Sequence, residues 1–297
     1  MPHHWFVRAA LAVLILASAT SVRAQSAHPS FSVTVTGKGP AMLLIPGLLS
    51  AGEVWDSTVA RYQDRYTLHV VTLAGFGGPA PVGDPFLSRV RDEVIAYLRE
   101  QKLQNTVIVG HSLGGFLGFW IAATAPDLVG GLVAVDGVPF LPGLGNPAAT
   151  ADSTKAQGGQ LKAIYASLSN AQLVAQTRMA LATMVTAPAD VELAAAWAAR
   201  SDAATAGTAV AELMSTDLRA TVAAITAPTL LIGATGAAPA AMRPAMAASY
   251  EAQVARVKGA RVIMADNARH FIMLDDPAFL FSALDVFLAA RRQGSGR

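Results

Sequence analysis

Residues 106–115 read TVIVGHSLGG. A β-branched run, Thr106–Val109, ends at Gly110; Ser112 and Gly114 follow, and from Leu113 the sequence favours helix. G-x-S-x-G set between a strand and a helix has a mechanical meaning. Ser112 would stand at a strained turn that pushes its Oγ clear of the sheet. Glycine is needed two residues to either side, because a β-carbon there would collide across so tight a bend. The helix that starts after Ser112 aims its first N–H groups and its positive end at the same spot, where a developing oxyanion would be held. The pattern predicts a nucleophilic serine. A plain glycine-rich turn is the competing reading, and the strand–helix context weighs against it.

Outward from this turn, short apolar runs alternate with helical patterns. The predicted strands are Phe31–Thr36, Ala41–Ile45, Leu68–Leu73, Thr106–Val109, Leu132–Val135, Thr229–Ile232 and Arg261–Met264. Several are apolar at consecutive positions, as strands buried on both faces are. Helical patterns cover Phe86–Gln101, Leu113–Ala125, Met242–Val257 and Pro277–Ala290; Asp276 reads as the N-cap of the last. Such alternation implies βαβ units and a mostly parallel sheet. From Pro139 to Ala224 the strands stop. After a loop, LPGLGNPAATADSTKAQGG (141–159), helical stretches at Gln160–Leu168, Ala171–Val185, Val191–Ala199 and Gly207–Leu213 predict a helical insertion.

Taken in order, LLIPGLLSAGEVW (43–55), GHSLGG (110–115), VAVDGVPF (133–140), APTLLIG (227–233) and ARHFIMLDDP (268–277) carry a family likeness. The chain resembles the α/β-hydrolase superfamily, in particular its lid-bearing, esterase-like members, over nearly all of 31–290. The resemblance implies an α/β fold with an eight-stranded, mostly parallel sheet flanked by helices and a helical cap inserted after the sixth strand. The matching division is a core of 25–138 and 225–290 with a cap of 139–224.

A serine hydroxyl is a poor nucleophile until a base takes its proton, and near neutral pH histidine suits that task. His3 and His4 fall in the leader-like N-terminal segment, His28 near the start of the mature chain, His69 inside a strand pattern and His111 beside Ser112. His270 remains, in a loop between a predicted strand and a capped helix. The order Ser…Asp…His of the resembled fold also asks for a late histidine. In most of that family the acid follows the strand represented here by TLLIG, yet residues 233–249 contain no carboxylate. Some members carry the acid one strand earlier, where this chain has Asp136. Asp136 would accept a hydrogen bond from the far nitrogen of His270 and fix its tautomer; the alternative is that it orders the turn into the cap. Glu251 reads as solvated, Asp266 as too near His270 in sequence, Asp275 as part of a helix start, and Asp217 as an outsider. The resemblance also implies an oxyanion hole built from the backbone N–H groups of Leu48 and Leu113, with Pro46 where the family commonly has histidine.

The 297 residues are 53% hydrophobic and 14% charged and include no cysteine. That composition excludes a disordered chain, a disulfide scaffold, a thiolate nucleophile and a cysteine-built metal site. No H-E-x-x-H, P-loop or G-x-G-x-x-G occurs, so no cofactor and no metal are expected. Residues 1–24, with Arg8, the apolar run Ala9–Ala19 and Val22-Arg23-Ala24, read as an export signal. This predicts a periplasmic or secreted protein without stable membrane insertion after cleavage. Residues 291–297 read as a basic flexible tail. Between the two ends, 25–290 hold 17 basic against 20 acidic side chains, which leaves no electrostatic footprint for nucleic acid. Met179, Met184, Trp197 and Met214 read as cap packing, some of them lining an acyl pocket. The expected function is a serine hydrolase acting on small-molecule carboxylic esters with small to medium apolar acyl groups. Acyltransferase, thioesterase, lactonase or C–C hydrolase chemistry would use the same residues, and a ligand-binding protein on a hydrolase scaffold is the rival from another class.

Overall fold

Each apolar run becomes a strand in the computed structural model, which describes residues 28–294: β1 (Phe31–Gly37), β2 (Ala41–Ile45), β3 (Thr67–Leu73), β4 (Thr106–His111), β5 (Val129–Val135), β6 (Thr229–Ala234) and β7 (Arg261–Ala265). The predicted export signal, 1–24, lies outside the described residues. The strands form one sheet in the order β1-β3-β2-β4-β5-β6-β7. β1 runs antiparallel to β3, and the other pairings are parallel. The architecture is that of an α/β hydrolase, with seven strands among the described residues where eight were expected. β1 is buried only at Phe31 and ends the sheet as an edge. Among the described residues the helical insertion follows the fifth strand, β5.

Helices α1 (Asp56–Tyr62), α2 (Leu87–Glu100) and α3 (Leu113–Thr124) precede the insertion. The insertion holds α4 (Pro142–Gly145), α5 (Ala151–Ala166), α6 (Asn170–Met184), α7 (Pro188–Ala199) and α8 (Ala203–Ser215). After it come α9 (Arg243–Gln253), α10 (Ile272–Asp275) and α11 (Pro277–Gly294). The sheet is buried on both faces: along β2, Leu43 and Ile45 enter one core layer with α2 and α3, while Met42 and Leu44 enter the other with α1 and α11. Each such side chain contributes about 1.5–3 kcal/mol on burial, and continuous apolar strands are what a two-sided core requires. Asp276 caps α11 as its sequence predicts, accepting from Phe279 N at 3.0 Å. That helix runs on through Gly294, and the Arg291 guanidinium donates to Gly130 O and Asn105 O at 2.5 Å each. Residues 291–294 are thus helix, not the start of a flexible tail.

Residues 141–159, expected as a loop, are in large part helical. Helix α5 already begins at Ala151, because Thr150 and Ser153 form a reciprocal capping box. Gly158 does not break it. A Cβ there would come 3.1 Å from Ala211 O and from Met214 Cβ, so the missing side chain lets α5 lie close along α8. Gly207 does the same from the α8 side, where a Cβ would meet Tyr165 Cβ at 2.8 Å and Lys162 O at 2.9 Å. The cap is built as two helix pairs, α5 with α8 and α6 with α7. Glu212 of α8 fastens the first pair to the core by accepting from Phe86 N and Leu87 N at 2.7 and 2.6 Å. It thereby satisfies donors that α2, with no side-chain N-cap of its own, leaves open. Among the described residues, no helix is long and apolar enough to cross a membrane.

The packing role of these glycines makes opposite substitutions diagnostic. Gly207→Val is expected to lower unfolding free energy in urea by ~1–3 kcal/mol through overpacking. Gly159→Ala, where a Cβ meets nothing within 4 Å, is expected to raise it by roughly 0.5–1 kcal/mol.

Candidate active site

Sheet register brings the functional loops together. Ile45 pairs with Gly110, His111 with Val135, and Val135 with Ile232. The ends of β2, β4, β5 and β6 therefore stand side by side, and the loops that leave them meet. Ser112 sits between β4 and α3 at φ 52° and ψ −117°, a backbone conformation that costs a non-glycine residue about 1–3 kcal/mol. Bonds on both sides hold it: Ser112 N donates to Val135 O at 2.9 Å, and Phe116 N donates to Ser112 O at 3.1 Å. The flanking glycines are sterically required. A Cβ on Gly110 would lie 2.1 Å from Gly114 O, and one on Gly114 would lie 2.2 Å from Ile45 O.

Asp136 follows β5 directly, at φ 49°, with its N–H bonded to Ile232 O at 2.7 Å. Its carboxylate, nearly buried, is surrounded by donors. Oδ1 accepts from Ala234 N at 2.9 Å and from the Tyr250 hydroxyl at 2.5 Å. Oδ2 lies 2.6 Å from His270 Nδ1. An ionised carboxylate only accepts, so Nδ1 carries the proton in this pair and the neutral ring leaves Nε2 bare. Burial is the main cause that pushes the Tyr250 hydroxyl pKa far up, with the Asp136 charge adding to it, so Tyr250 stays a donor.

Ser112 and His270 line one cavity of about 570 Å³ beneath the cap. Leu48 lines it too, and Leu113 opens α3 in the first turn, where backbone N–H groups have no intrahelical acceptor. The cap supplies Leu173, Gln176, Thr177, Leu181 and Met184 from one face of α6, and Leu213 from α8. Of the methionines and the tryptophan expected in the cap, Met184 reaches the cavity, and Trp197 and Met214 pack inside. Met179 does neither and is exposed. Among the described residues no group of three His, Asp or Glu side chains converges as a metal site would need.

The rejected carboxylates are elsewhere. Glu251 is exposed, Asp217 pairs with Arg219, and Asp266 accepts from Thr235 Oγ1 at 2.5 Å. Asp275 closes α10 and bonds Thr186 and Arg269 rather than starting a helix; Asp276 does that. Two contacts close to the site have no signature in the sequence. Tyr250 shares a helical stripe with Val254 and Val257, so its spacing announces only core. His111 was placed in the turn, but not its bond: the carbonyl of His270 accepts from His111 Nε2 at 3.1 Å.

Residues 42–283 match the alpha/beta hydrolase family. The chain belongs to that family. It is 35% identical over 103 residues to a pimeloyl-[acyl-carrier protein] methyl ester esterase of Aliivibrio salmonicida, covering 35% of this chain and 38% of that protein. It is 31% identical over 113 residues to a 2-(acetamidomethylene)succinate hydrolase of Mesorhizobium japonicum, covering 38% of this chain and 41% of that protein. Both matches span well under half of the relative's length. The crystal structure of a hydrolase from Pseudomonas aeruginosa PA01 superposes with a TM-score of 0.72 at 22% identity, covering 87% of this chain and 94% of the other.

His111 sets a pH dependence whose sign is fixed. Burial, and then the neighbouring His270 charge, hold its pKa well below the ordinary 6.5, against a weaker opposing effect of its backbone bond. The native state keeps it neutral while the unfolded chain takes a proton below 6.5. Its contribution to stability is therefore complete above pH 6.5 and is lost as pH falls from there toward the depressed native value, at roughly 1.4 kcal/mol per unit. Urea midpoints at pH 8 and pH 5 should differ less in His111→Gln than in the parent chain; equal differences would assign the acid sensitivity to other groups.

Proposed function

We propose that this chain is a serine hydrolase that cleaves carboxylic esters of small to medium apolar acyl groups. One observation carries the reading: the imidazole that bonds Asp136 through Nδ1 at 2.6 Å shares an apolar cavity with Ser112 at its strained turn. In this reading Ser112 Oγ attacks the ester carbonyl carbon as His270 Nε2 takes its proton. The carbonyl oxygen becomes an oxyanion bound by the N–H groups of Leu48 and Leu113. Collapse breaks the bond to the alcohol oxygen, and His270 returns its proton to that leaving group. Water then adds to the acyl-enzyme, its proton passing to the same nitrogen, and the acid leaves with Ser112 restored. Asp136 stays ionised throughout and stabilises the imidazolium.

The cavity's mainly apolar walls and its size support an uncharged acyl chain of modest length. Family membership and the partial likeness to an ester-cleaving relative support the bond type. The ligand-binding rival rests on the lack of a late acid after β6; the Asp136–His270 bond supports the hydrolase reading instead. Acyltransferase, thioesterase, lactonase and C–C hydrolase chemistry share the first steps and differ in acceptor or bond. The N-terminal segment 1–24 supports export, so we place the activity in the periplasm or outside the cell.

A fluorophosphonate should label the protein at Ser112, and Ser112→Ala should abolish labelling and lower kcat on p-nitrophenyl butyrate on the order of 10⁶-fold. A folded parent chain that neither labels nor turns over esters would favour the ligand-binding reading. Asp136→Asn should lower kcat by about 10⁴, because the amide leaves His270 in the wrong tautomer. An unchanged rate in that variant would make Asp136 a purely structural residue.

A further inference from the structure

The loop that carries His270 is hydrogen-bonded to the cap on both sides of the imidazole. On one side, Arg269 Nη1 donates to Ala182 O at 2.9 Å and to Val185 O at 3.0 Å. On the other, Phe271 N donates to Met184 O at 3.3 Å. Asp275 closes the arrangement: Oδ2 accepts from Arg269 N at 2.8 Å and from Thr186 Oγ1 at 3.0 Å, while Oδ1 accepts from Thr186 N at 2.8 Å. The cap partners fall within 182–186, the last turn of α6 and the two residues after it. Carbonyls at a helix C-terminus lack intrahelical donors and carry the negative end of the dipole, which suits a guanidinium. Met184 of this turn and Phe271 of the loop also form part of the cavity wall.

We propose that Arg269 and Asp275 are positioning residues that latch the C-terminal end of α6 to the histidine loop, so that seating of the cap and alignment of His270 are one event. The proposal rests on the reading of Ser112 and His270 as nucleophile and base. Its physical basis is that α6 is a cavity wall, through Leu173, Thr177, Leu181 and Met184, and is tied at one end to the loop that must place Nε2 against Ser112. An acyl group that forces α6 outward pulls residues 182–186 and, through these bonds, Arg269 and Phe271. Displacement of a base by about 1 Å can cost ~10²-fold in rate. Fit of the acyl chain is therefore read in kcat, and not only in KM.

The test compares Arg269→Gln, Arg269→Lys and Thr186→Val with the parent chain on p-nitrophenyl acetate and butyrate, together with the rate of fluorophosphonate labelling. Arg269→Gln is expected to lower kcat and the labelling rate in parallel by roughly 10–100-fold while KM stays within about threefold. Arg269→Lys, which keeps a cation able to reach a carbonyl, should recover part of the loss. Thr186 is exposed, so Thr186→Val removes one bond to Asp275 without disturbing the core and should show a smaller loss of the same kind. It decides the matter if Arg269→Gln does not fold. A labelled parent chain with Thr186→Val and any folded Arg269 variant labelling and turning over at the parental rate overturns the latch alone, even if thermal melting or KM shifts. A parent chain that resists the label overturns the reading of Ser112 and the latch together.

Discussion

At Ser112 the backbone leaves a strand buried along its whole length at φ 52° and enters a helix. It is held there by the side chains that its neighbours lack. Gly110, Gly114 and Gly137 each stand where a Cβ would come within 2.2 Å of a backbone oxygen, the last against Ser112 O itself. A strained residue persists only where its surroundings over-determine it, and here β2, β4 and β5 close on the turn from three directions. The same register that fixes the strain delivers Leu48 and Asp136 to the neighbouring strand ends. The site is a consequence of where the parallel strands stop.

The acid proposed for the triad stands at a different strand end from the one that most of the resembled family uses, yet it bonds the same imidazole. The stretch after β6 has no carboxylate before Ser249, and its groups are otherwise engaged: Ala234 N points at Asp136 and Thr235 bonds Asp266. Asp136, one strand earlier, reaches His270 from the end of β5. A nearly buried carboxylate needs donors to offset its lost hydration, and Ala234 N, Tyr250 Oη and His270 Nδ1 provide them. Tyr250 matters because its hydroxyl, held protonated by burial, fixes one oxygen so that the other faces the imidazole.

The strands were legible because β-branched runs buried on both faces have no helical reading of comparable quality. The strained turn at Ser112 was legible because a tight bend demands glycine at fixed offsets, whereas the role proposed for His270 leans on the resemblance of its loop as well as on the places the other histidines take. The role proposed for Asp136 came from the resemblance, in which some members carry the acid one strand earlier, together with the stretch after TLLIG that lacks a carboxylate. What escaped the sequence shares a physical cause: a glycine that permits close helix packing is written the same way as one that ends a helix. Gly158 and Gly159 therefore hid the first two turns of α5. Tyr250 looked like core because its apolar ring is core; only its oxygen does anything else. The bonds from Arg269 to 182–186 span 84 and 87 residues and those from Asp275 span 89, which leaves no local spacing to recognise.

His111 ties these observations to the proton that the proposed chemistry moves. Its ring centroid lies 4.7 Å from that of His270 and 4.7 Å from Phe271. A cation at that distance would oppose any proton taken up by His270, since like charges in a poorly hydrated site repel with little screening. Complete burial prevents it by keeping His111 neutral, and the neutral ring still donates Nε2–H to the His270 carbonyl. His111 Nδ1 is buried against the loop that carries Leu48. A Cβ on Gly47 would lie 2.9 Å from that nitrogen and 3.2 Å from Ser112 Cβ. The loop that carries Leu48 can approach Ser112 and His111 so closely only because Gly47 has no side chain.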